Sequence, residues 1–175
     1  MPHRPYAVAY IAASVDGFIS RPDGGLDWLP TPSGDQDYGY HAFVASVDTL
    51  VLGRKTYETV HGFGEWPYSA FRVVVLSTGA PDTAGVDVEV LALAPGALLD
   101  HLGATGSRGV WVDGGETLQG FLRAGCLDEL IVTRVPVLLG DGIPLFGSVP
   151  ADVPLRHVET QAFDDGLVQT RYRLS

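Results

Sequence analysis

Short apolar runs, separated by turns rich in glycine and proline, alternate along the chain with stretches of helical spacing. This alternation is typical of βαβ units around a mainly parallel sheet. Runs of β-branched and aromatic residues predict strands at Tyr6–Ala13, Thr49–Leu52, Arg72–Leu76, Val86–Leu91, Gly109–Val112 and Leu130–Val135. The helical stretches lie at Gln36–Val47, Lys55–Val60, Pro95–Leu102 and Thr117–Arg123. The pattern therefore predicts an α/β fold.

The end of the chain has a different pattern. Val168–Leu174 alternates apolar and polar residues with a period of two, and Asp164-Asp165-Gly166 precedes it as a turn. Such a pattern predicts a closing antiparallel hairpin. By contrast, Val73–Leu76 and Leu130–Val132 are apolar without interruption, as in parallel strands that helices cover on both faces. Together these segments predict an α/β sandwich whose mainly parallel sheet ends in a hairpin.

The predicted helix Gln36–Val47 carries a candidate functional carboxylate. Tyr40, Phe43, Val44 and Val47 follow the spacing of one helical face, and Asp37 lies on the same face. Asp37 can be a helix-start carboxylate that the macrodipole stabilises, or it can point with the apolar face towards the sheet. The residues alone leave both interpretations open.

Composition limits the classes of function. The 175 residues include 11 Lys and Arg against 21 Asp and Glu, a formal net charge of −10. Because non-specific nucleic-acid binding depends on Lys and Arg, no nucleic-acid partner is expected. A hydrophobic fraction of 46% with 18% charged residues excludes a disordered chain. The length suits one domain spanning residues 1–175, since domains typically have roughly 100–200 residues.

Several other classes of site and location are also disfavoured. The apolar run Tyr6–Ala13 has strand character and is far shorter than the roughly 20 residues of a membrane span, so no membrane partner is expected. Cys126 is the single cysteine, which excludes an internal disulfide and fits a cytoplasmic protein. The histidines at positions 3, 41, 61, 101 and 157 lack ligand spacing, so no metal is predicted.

Three predicted strand ends carry residues suited to binding an anion. Gly53-Arg54-Lys55-Thr56 and Asp113-Gly114-Gly115 each join a strand to a helix, while Ser77-Thr78-Gly79 follows a third strand. Helix N-termini with glycine turns bind phosphate groups, and ligands of open α/β sheets collect at the carboxyl ends of strands. The three turns together predict one nucleotide site, although each alone can simply connect two elements. Neither a Walker loop nor a Rossmann fingerprint is present.

The order of these motifs resembles the dihydrofolate reductase superfamily. The motifs that carry the resemblance are Ala12–Gly17, Asp48–Glu58, Val74–Thr78, Val112–Leu118 and Leu127–Leu130. Within the superfamily the chain is most similar to the C-terminal reductase domain of the bifunctional riboflavin-biosynthesis deaminase-reductase. The resemblance implies a three-layer sandwich with a mixed, mostly parallel eight-stranded sheet, and an enzyme that uses NADPH.

The resemblance also implies cofactor-binding residues. It assigns the phosphates and the adenosine side to the turns after the strands, and the nicotinamide to the first strand and the segment after it. The implied residues are Gly53, Arg54, Lys55, Thr56, Ser77, Thr78, Gly114, Gly115, Glu116 and Thr117, together with Ala13 and Ile19. Glu116 occupies a place where relatives often carry arginine, and this leaves NADH or a deazaflavin open as the hydride carrier.

The implied substrate site contains Asp37, Tyr40, His41 and Thr133. Asp37 matches the carboxylate that holds the heterocycle and assists its protonation, because hydride transfer to a C=N bond requires a proton at nitrogen. Asp16-Gly17 is expected to form a structural turn, although the riboflavin branch carries a similar motif near its substrate.

The predicted function is an NADPH-dependent reductase of a pyrimidine- or pterin-like heterocycle. The nearest family activity is 5-amino-6-(5-phosphoribosylamino)uracil reductase. Dihydrofolate reduction, deazaflavin-dependent reduction and a non-catalytic nucleotide-binding module remain alternatives. The apolar segment Val135–Leu139 is a candidate dimer interface, and the sequence alone leaves the choice between a monomer and a homodimer open.

Overall fold

The alternation of apolar runs and helical stretches produces ten strands and four helices in a computed structural model that describes residues 3–175. The strands are β1 Tyr6–Ser14, β2 Phe18–Ser20, β3 Thr49–Gly53, β4 Arg72–Leu76, β5 Glu89–Leu91, β6 Gly109–Asp113, β7 Glu129–Val135, β8 Ile143–Pro144, β9 Leu155–Ala162 and β10 Val168–Leu174. The helices are α1 Tyr40–Val44, α2 Arg54–His61, α3 Pro95–Ala104 and α4 Gly115–Arg123.

Eight strands form the main sheet in the order β5-β4-β3-β6-β1-β7-β10-β9. The neighbours from β5 to β7 pair in parallel, whereas β10 pairs antiparallel with both β7 and β9. The predicted α/β fold, its mixed sheet and its closing hairpin are therefore confirmed. Two short strands, β2 and β8, form a separate antiparallel pair.

Two apolar cores lie on opposite faces of the sheet and make the structure a three-layer sandwich. One core contains Leu98, Leu99 and Leu102 of α3 with Leu118 and Phe121 of α4. The other core is rich in aromatic residues. Phe43, Tyr57 and Trp111 are buried in it, and Tyr10, Trp66, Tyr68 and Phe71 pack against it. The carboxyl ends of the central strands lie between these helical layers.

The prediction of a helix over Gln36–Val47 was wrong. The helix α1 covers only Tyr40–Val44, because Tyr38 and Gly39 both adopt left-handed backbone angles, with φ of 53° and 80°. A left-handed pair cannot continue a right-handed helix. The apolar face survives within this shorter helix, where Phe43 is buried and packs on Tyr10. The predicted strand Val86–Leu91 is also shorter, since only Glu89–Leu91 pairs with β4.

Within residues 3–175, no helix combines the length and the apolar character needed to cross a membrane.

Candidate active site

The two glycine turns predicted to bind phosphate lie directly against each other. The strands β3 and β6 are neighbours in the sheet, and they place the start of α2 beside the start of α4. A Cβ atom on Gly53 would lie 2.5 Å from Thr117 Oγ1, and one on Gly114 would lie 2.6 Å from Thr56 Oγ1. Because only glycine allows this approach, the two turns form one continuous backbone surface.

Backbone N–H groups at this surface are suited to holding a phosphate. No side chain among residues 3–175 caps α2 or α4, whose N-cap residues are Gly53 and Gly114. The first N–H groups of a helix have no partner within the helix, and its N-terminus carries partial positive charge. The two adjacent helix ends therefore fit the pyrophosphate of a dinucleotide cofactor.

The two basic side chains at this surface are each paired with a carboxylate. Lys55 Nζ lies 2.9 Å from Glu116 Oε1, and Arg54 Nε lies 2.7 Å from Glu58 Oε1. The Glu116 carboxylate raises the pKa of Lys55 by accepting its hydrogen bond. Glu116 therefore neutralises Lys55, as Glu58 neutralises Arg54, and this surface carries two ion pairs instead of a free basic patch.

The third predicted turn lies at the same edge of the sheet. The end of β4 is level with the end of β3, since Leu76 pairs with Gly53. A Cβ atom on Gly79 would lie 2.8 Å from Arg54 Nη1, so the arginine packs on the turn Ser77-Thr78-Gly79. Ser77 and Thr78 line a groove of about 370 Å³ together with Leu76, Leu91, Ala92 and Leu93. The structure thus brings Arg54, Ser77 and Thr78 together.

The remaining cofactor candidates lie near the middle of the sheet. Ala13 is fully buried near the end of the central strand β1. Ile19 packs on the start of α4, where a Cβ atom on Gly115 would lie 2.7 Å from Ile19 Cδ1. The turn between β1 and β2 is held by Asp16, whose carboxylate accepts hydrogen bonds from Ser14 Oγ and from the amides of Leu139 and Gly140. The expected structural role of Asp16 is confirmed.

Asp37 lies just before α1 and accepts hydrogen bonds from the start of that helix. One carboxylate oxygen is 3.0 Å from Gly39 N, and the other is 3.1 Å from His41 N and 2.7 Å from His41 Nδ1. The Gly39 amide, the His41 amide and then the His41 ring lower the pKa of Asp37. The His41 side chain is 85% exposed. The catalytic role of Asp37 and the substrate contact of His41 stay predictions.

Thr133 is buried near the end of β7 and belongs to a polar network that includes the segment after Asp37. Gln169 Nε2, on the neighbouring strand β10, lies 2.9 Å from Thr133 Oγ1 and 2.9 Å from the Tyr38 carbonyl oxygen. Tyr10 donates a hydrogen bond of 2.8 Å to the same carbonyl. Two predicted substrate residues, Asp37 and Thr133, are therefore connected through Tyr38 and Gln169.

Asp113 ends the central strand β6 and is the most strongly perturbed carboxyl group of the site. Burial raises its pKa to about 6, and a hydrogen bond of 2.9 Å from the Gly114 amide offsets part of that effect. The residue keeps partial solvent access although protein surrounds its carboxyl group closely. A carboxyl group with this pKa can hold a proton close to neutral pH.

An aromatic surface adjoins Asp113. Trp111 and Asp113 share one face of β6, and the Tyr40 and Tyr68 rings lie 6.1 and 5.9 Å from the Trp111 ring. Burial and then the Asp113 charge raise the pKa of both tyrosines. Tyr40 keeps 37% of its surface exposed, so it forms the open side of this aromatic surface. A planar heterocycle would pack well on such rings.

The sequence alone assigns no functional role to Asp113 or Gln169 individually, whereas the structure gives one a raised pKa and the other a central place in the polar network. A carboxylate directly after the apolar run Gly109–Val112 and before a glycine pair was the available signal for Asp113. Gln169 offered none, because it occupies an ordinary polar position in an alternating strand.

Comparisons with known proteins agree with this architecture. The model of the RibD C-terminal domain family matches residues 5–169. The chain is 38% identical over 169 residues to the uncharacterized protein YwjB of Bacillus subtilis, covering 94% of this chain and 95% of YwjB. It is also 31% identical over 155 residues to the riboflavin biosynthesis protein RibD of Corynebacterium ammoniagenes, covering 80% of this chain and 45% of RibD.

Solved structures show the same fold. A protein from Shewanella sp. PV-4, described as a riboflavin biosynthesis protein, superposes with a TM-score of 0.90 at 36% identity, covering 97% of this chain and 99% of the other. Dihydrofolate reductase from Enterococcus faecalis, solved with NADP(H), has a TM-score of 0.67 at 22% identity and covers 100% and 99% of the two chains. This second likeness shows the fold alone. The chain therefore belongs to the RibD C-terminal domain family, whose fold is that of dihydrofolate reductase.

Proposed function

We propose that this protein is an NADPH-dependent reductase that transfers hydride to a pyrimidine- or pterin-like heterocycle. Membership of the RibD C-terminal domain family supports a pyrimidine-reductase-like activity. The family activity that we propose is 5-amino-6-(5-phosphoribosylamino)uracil reduction, which the Thermotoga maritima deaminase-reductase carries in its name; that protein shares this fold at 17% identity.

One observation carries the proposal: a buried carboxyl group with a raised pKa lies immediately beside the paired helix ends. Asp113 is the residue before Gly114, and Gly114 begins α4 at the turn that packs against the start of α2. A cofactor whose phosphates occupy the helix ends would extend from the same edge of the sheet as Asp113. Hydride and proton would then reach the substrate from adjoining groups.

The bound cofactor supplies a hydride to the carbon of a C=N bond, and the protein supplies the proton that the nitrogen then requires. Asp113 supplies that proton, because its raised pKa of about 6 leaves about a tenth of the carboxyl groups protonated at pH 7, far more than for an ordinary aspartate. As the N–H bond forms, the Asp113 O–H bond breaks, and solvent returns the proton to the carboxylate afterwards. Tyr40 and Tyr68 shield this step from water on one side.

Asp37 serves the proposed reaction as an orienting carboxylate. Its pKa is lowered by the hydrogen bonds it accepts at the start of α1, so it is a poor proton donor near neutral pH. Two carboxyl groups whose environments drive their pKa values apart commonly divide the acid and charge-stabilising roles. The ionised Asp37 retains capacity to accept a further hydrogen bond from a substrate N–H group.

The choice of NADPH depends on groups that contact its additional phosphate. Ser77 and Thr78 line one groove and supply two hydroxyl groups, and Arg54, which packs on Gly79 of the same turn, supplies a cation. Glu58 and Glu116 hold Arg54 and Lys55 in exposed ion pairs, and such pairs exchange partners at little cost. A phosphate can therefore recruit either cation by displacing a carboxylate.

A turnover experiment tests the proposal. The protein is mixed with NADPH and either 5-amino-6-(5-phosphoribosylamino)uracil or dihydrofolate, and oxidation of the nicotinamide is followed by absorbance. We expect oxidation with the pyrimidine that exceeds oxidation with dihydrofolate, and weaker activity with NADH. Saturable NADPH binding without oxidation in either mixture would instead indicate a nucleotide-binding module.

We also propose a cytoplasmic homodimer that forms through β9. All eight residues of this edge strand are exposed, including Leu155 and Val158 at 43% and 39%. An uncovered edge strand with exposed apolar side chains pairs readily with another chain. Light scattering of the wild type and of Val158→Lys tests this assembly: a dimer that Val158→Lys dissociates is expected, and a monomeric wild type would contradict it.

A further inference from the structure

Gln169 lies at the centre of the polar network below the substrate end. Its Nε2 atom is 2.9 Å from the Tyr38 carbonyl oxygen, 2.9 Å from Thr133 Oγ1 and 3.4 Å from Tyr10 Oη. A carbonyl oxygen can only accept a hydrogen bond, so the amide NH₂ group, rather than the amide oxygen, faces this network. The side chain of Gln169 therefore has one defined orientation.

This orientation sets the direction of the hydrogen bond at Thr133. The NH₂ group has two hydrogens, which bond to the Tyr38 carbonyl and to the Thr133 hydroxyl oxygen at the two shorter distances. The hydroxyl oxygen is thus an acceptor towards Gln169, and its own hydrogen finds no acceptor among the residues from 3 to 175. Thr133 is only 6% exposed, where an unsatisfied donor is costly. Its hydrogen is available to a ligand.

Gln169 also holds the segment that carries Asp37. The Tyr38 carbonyl that it binds belongs to a residue in the left-handed conformation, with φ of 53°. Such a conformation is unfavourable for a residue with a side chain and persists only where neighbouring contacts fix it. The turn of the C-terminal hairpin adds two more contacts, because the Tyr38 hydroxyl donates to Asp165 and the Phe163 ring packs on Tyr38 at 5.0 Å.

We infer that Gln169 is a positioning residue that determines which heterocycles the substrate end accepts. By fixing Thr133 as a donor, it selects a substrate that presents a carbonyl oxygen or an unprotonated ring nitrogen towards β7. By fixing Tyr38, it keeps the ionised Asp37 in place to accept an N–H group of the same molecule. The preferred class is a heterocycle with a lactam-like edge that carries both an acceptor and a donor. This inference rests on the proposed reductase function.

Gln169→Met tests the inference because it keeps the length of the side chain and removes both hydrogen-bond donors. We expect the KM for the reduced heterocycle to rise about tenfold, with the affinity for NADPH unchanged. Gln161→Met is the matched control. Gln161 lies directly opposite Gln169 in the same hairpin, is exposed, and makes no side-chain hydrogen bond among the residues that the structure describes.

A double-mutant cycle separates positioning from a general structural role. Thr133→Val removes one of the two groups through which Gln169 acts, so adding Gln169→Met to Thr133→Val should raise KM by less than tenfold, and the remaining rise reports the lost contact with Tyr38. Thr133→Ser keeps the hydroxyl group and should retain the sensitivity to Gln169→Met. These two backgrounds distinguish loss of an oriented donor from loss of folded protein.

Two results would overturn the inference while leaving the proposed function intact. One is an active Gln169→Met variant whose KM equals that of Gln161→Met. The other is a Gln169→Met variant that loses NADPH affinity and heterocycle affinity equally. A different outcome of the same NADPH oxidation assay would contradict the proposed function itself: a wild-type protein that oxidises NADPH with neither substrate.

Discussion

The cofactor end and the substrate end of this cleft are built in different ways. At the cofactor end, each contributing turn is a short stretch of chain that follows its own strand, such as Gly53–Thr56 and Gly114–Thr117. At the substrate end, the contacts join distant residues: Gln169 bonds to Tyr38, 131 positions earlier, and to Thr133, 36 positions earlier. A local motif therefore predicts the first end, whereas only the folded chain assembles the second.

The two ends also differ in electrostatics. Lys55 and Glu116 are 83% and 76% exposed and form an ion pair in solvent, where such pairs contribute little. Asp113 is enclosed by protein, and this burial raises its pKa to about 6. Substitutions of the exposed charges at the cofactor end should consequently change affinity modestly, while substitution of Asp113 should change catalysis and stability strongly.

The largest effect is expected at Asp113. Asp113→Asn keeps an oxygen that can accept the Gly114 amide hydrogen but removes the acidic proton, and general acids typically contribute about 10²- to 10⁴-fold to rate. We expect kcat to fall at least about 100-fold with NADPH affinity unchanged, as measured by steady-state kinetics and by tryptophan fluorescence. If Asp37→Asn lowers kcat more than Asp113→Asn does, the proton donor is Asp37.

The same substitution should stabilise the protein above pH 6. The folded-state pKa of Asp113 is raised from 3.8 to about 6, so the folded state binds the proton more tightly than the unfolded state. Stability is therefore lost as pH rises from about 4 through 6, by about 3 kcal/mol in total. Because asparagine does not ionise, Asp113→Asn removes this pH-dependent loss of stability. Urea unfolding at pH 4.5 and pH 8 should show a gain that is larger at pH 8.

A pair of glycines tests the close approach of the two turns. Gly114 and Gly106 have almost the same φ, 100° and 101°, but a Cβ atom would meet Thr56 only at Gly114. Both alanine variants should lose roughly 1–3 kcal/mol from backbone strain. Gly114→Ala should lose more, together with NADPH affinity. Thermal unfolding and cofactor titration compare the two variants, and equal losses would show that the turns do not need their close contact.

The smallest effect is expected at the exposed ion pair. Glu116→Gln frees Lys55 from its partner at 2.9 Å, and we expect NADPH to bind about two- to fivefold more tightly at low salt. Glu159→Gln, the same charge change on the distant strand β9, is the control. If both variants bind NADPH as the wild type does, Lys55 does not contact a phosphate.

The sequence was sufficient for the sheet and for the cofactor end, since periodicity and strand–glycine–helix turns are local properties. The prediction for residues 36–47 was wrong at the substrate end. There, tertiary hydrogen bonds hold the Tyr38 carbonyl to Tyr10 and Gln169, and the left-handed backbone at Tyr38 and Gly39 interrupts the helical period. Periodicity alone cannot show this break, because the apolar positions of α1 continue the same spacing.

The charged residues show the same limit. The sequence shows Asp113 as part of a glycine turn, but its raised pKa results from burial, which only the folded chain creates. Glu116 suggests repulsion of phosphate when it is considered alone, and its pairing with Lys55 requires the contact between α2 and α4. Charge patterns in a sequence therefore indicate which groups are present but not which groups neutralise one another.

The pH dependence of hydride transfer tests the central claim, that Asp113 provides the proton, most directly. Single-turnover oxidation of bound NADPH by 5-amino-6-(5-phosphoribosylamino)uracil is measured from pH 5 to pH 8 for the wild type and for Asp113→Asn. We expect a wild-type rate that falls as pH rises through about 6 and an Asp113→Asn rate that is low and independent of pH. An unchanged profile in Asp113→Asn, at the wild-type rate, would contradict this claim.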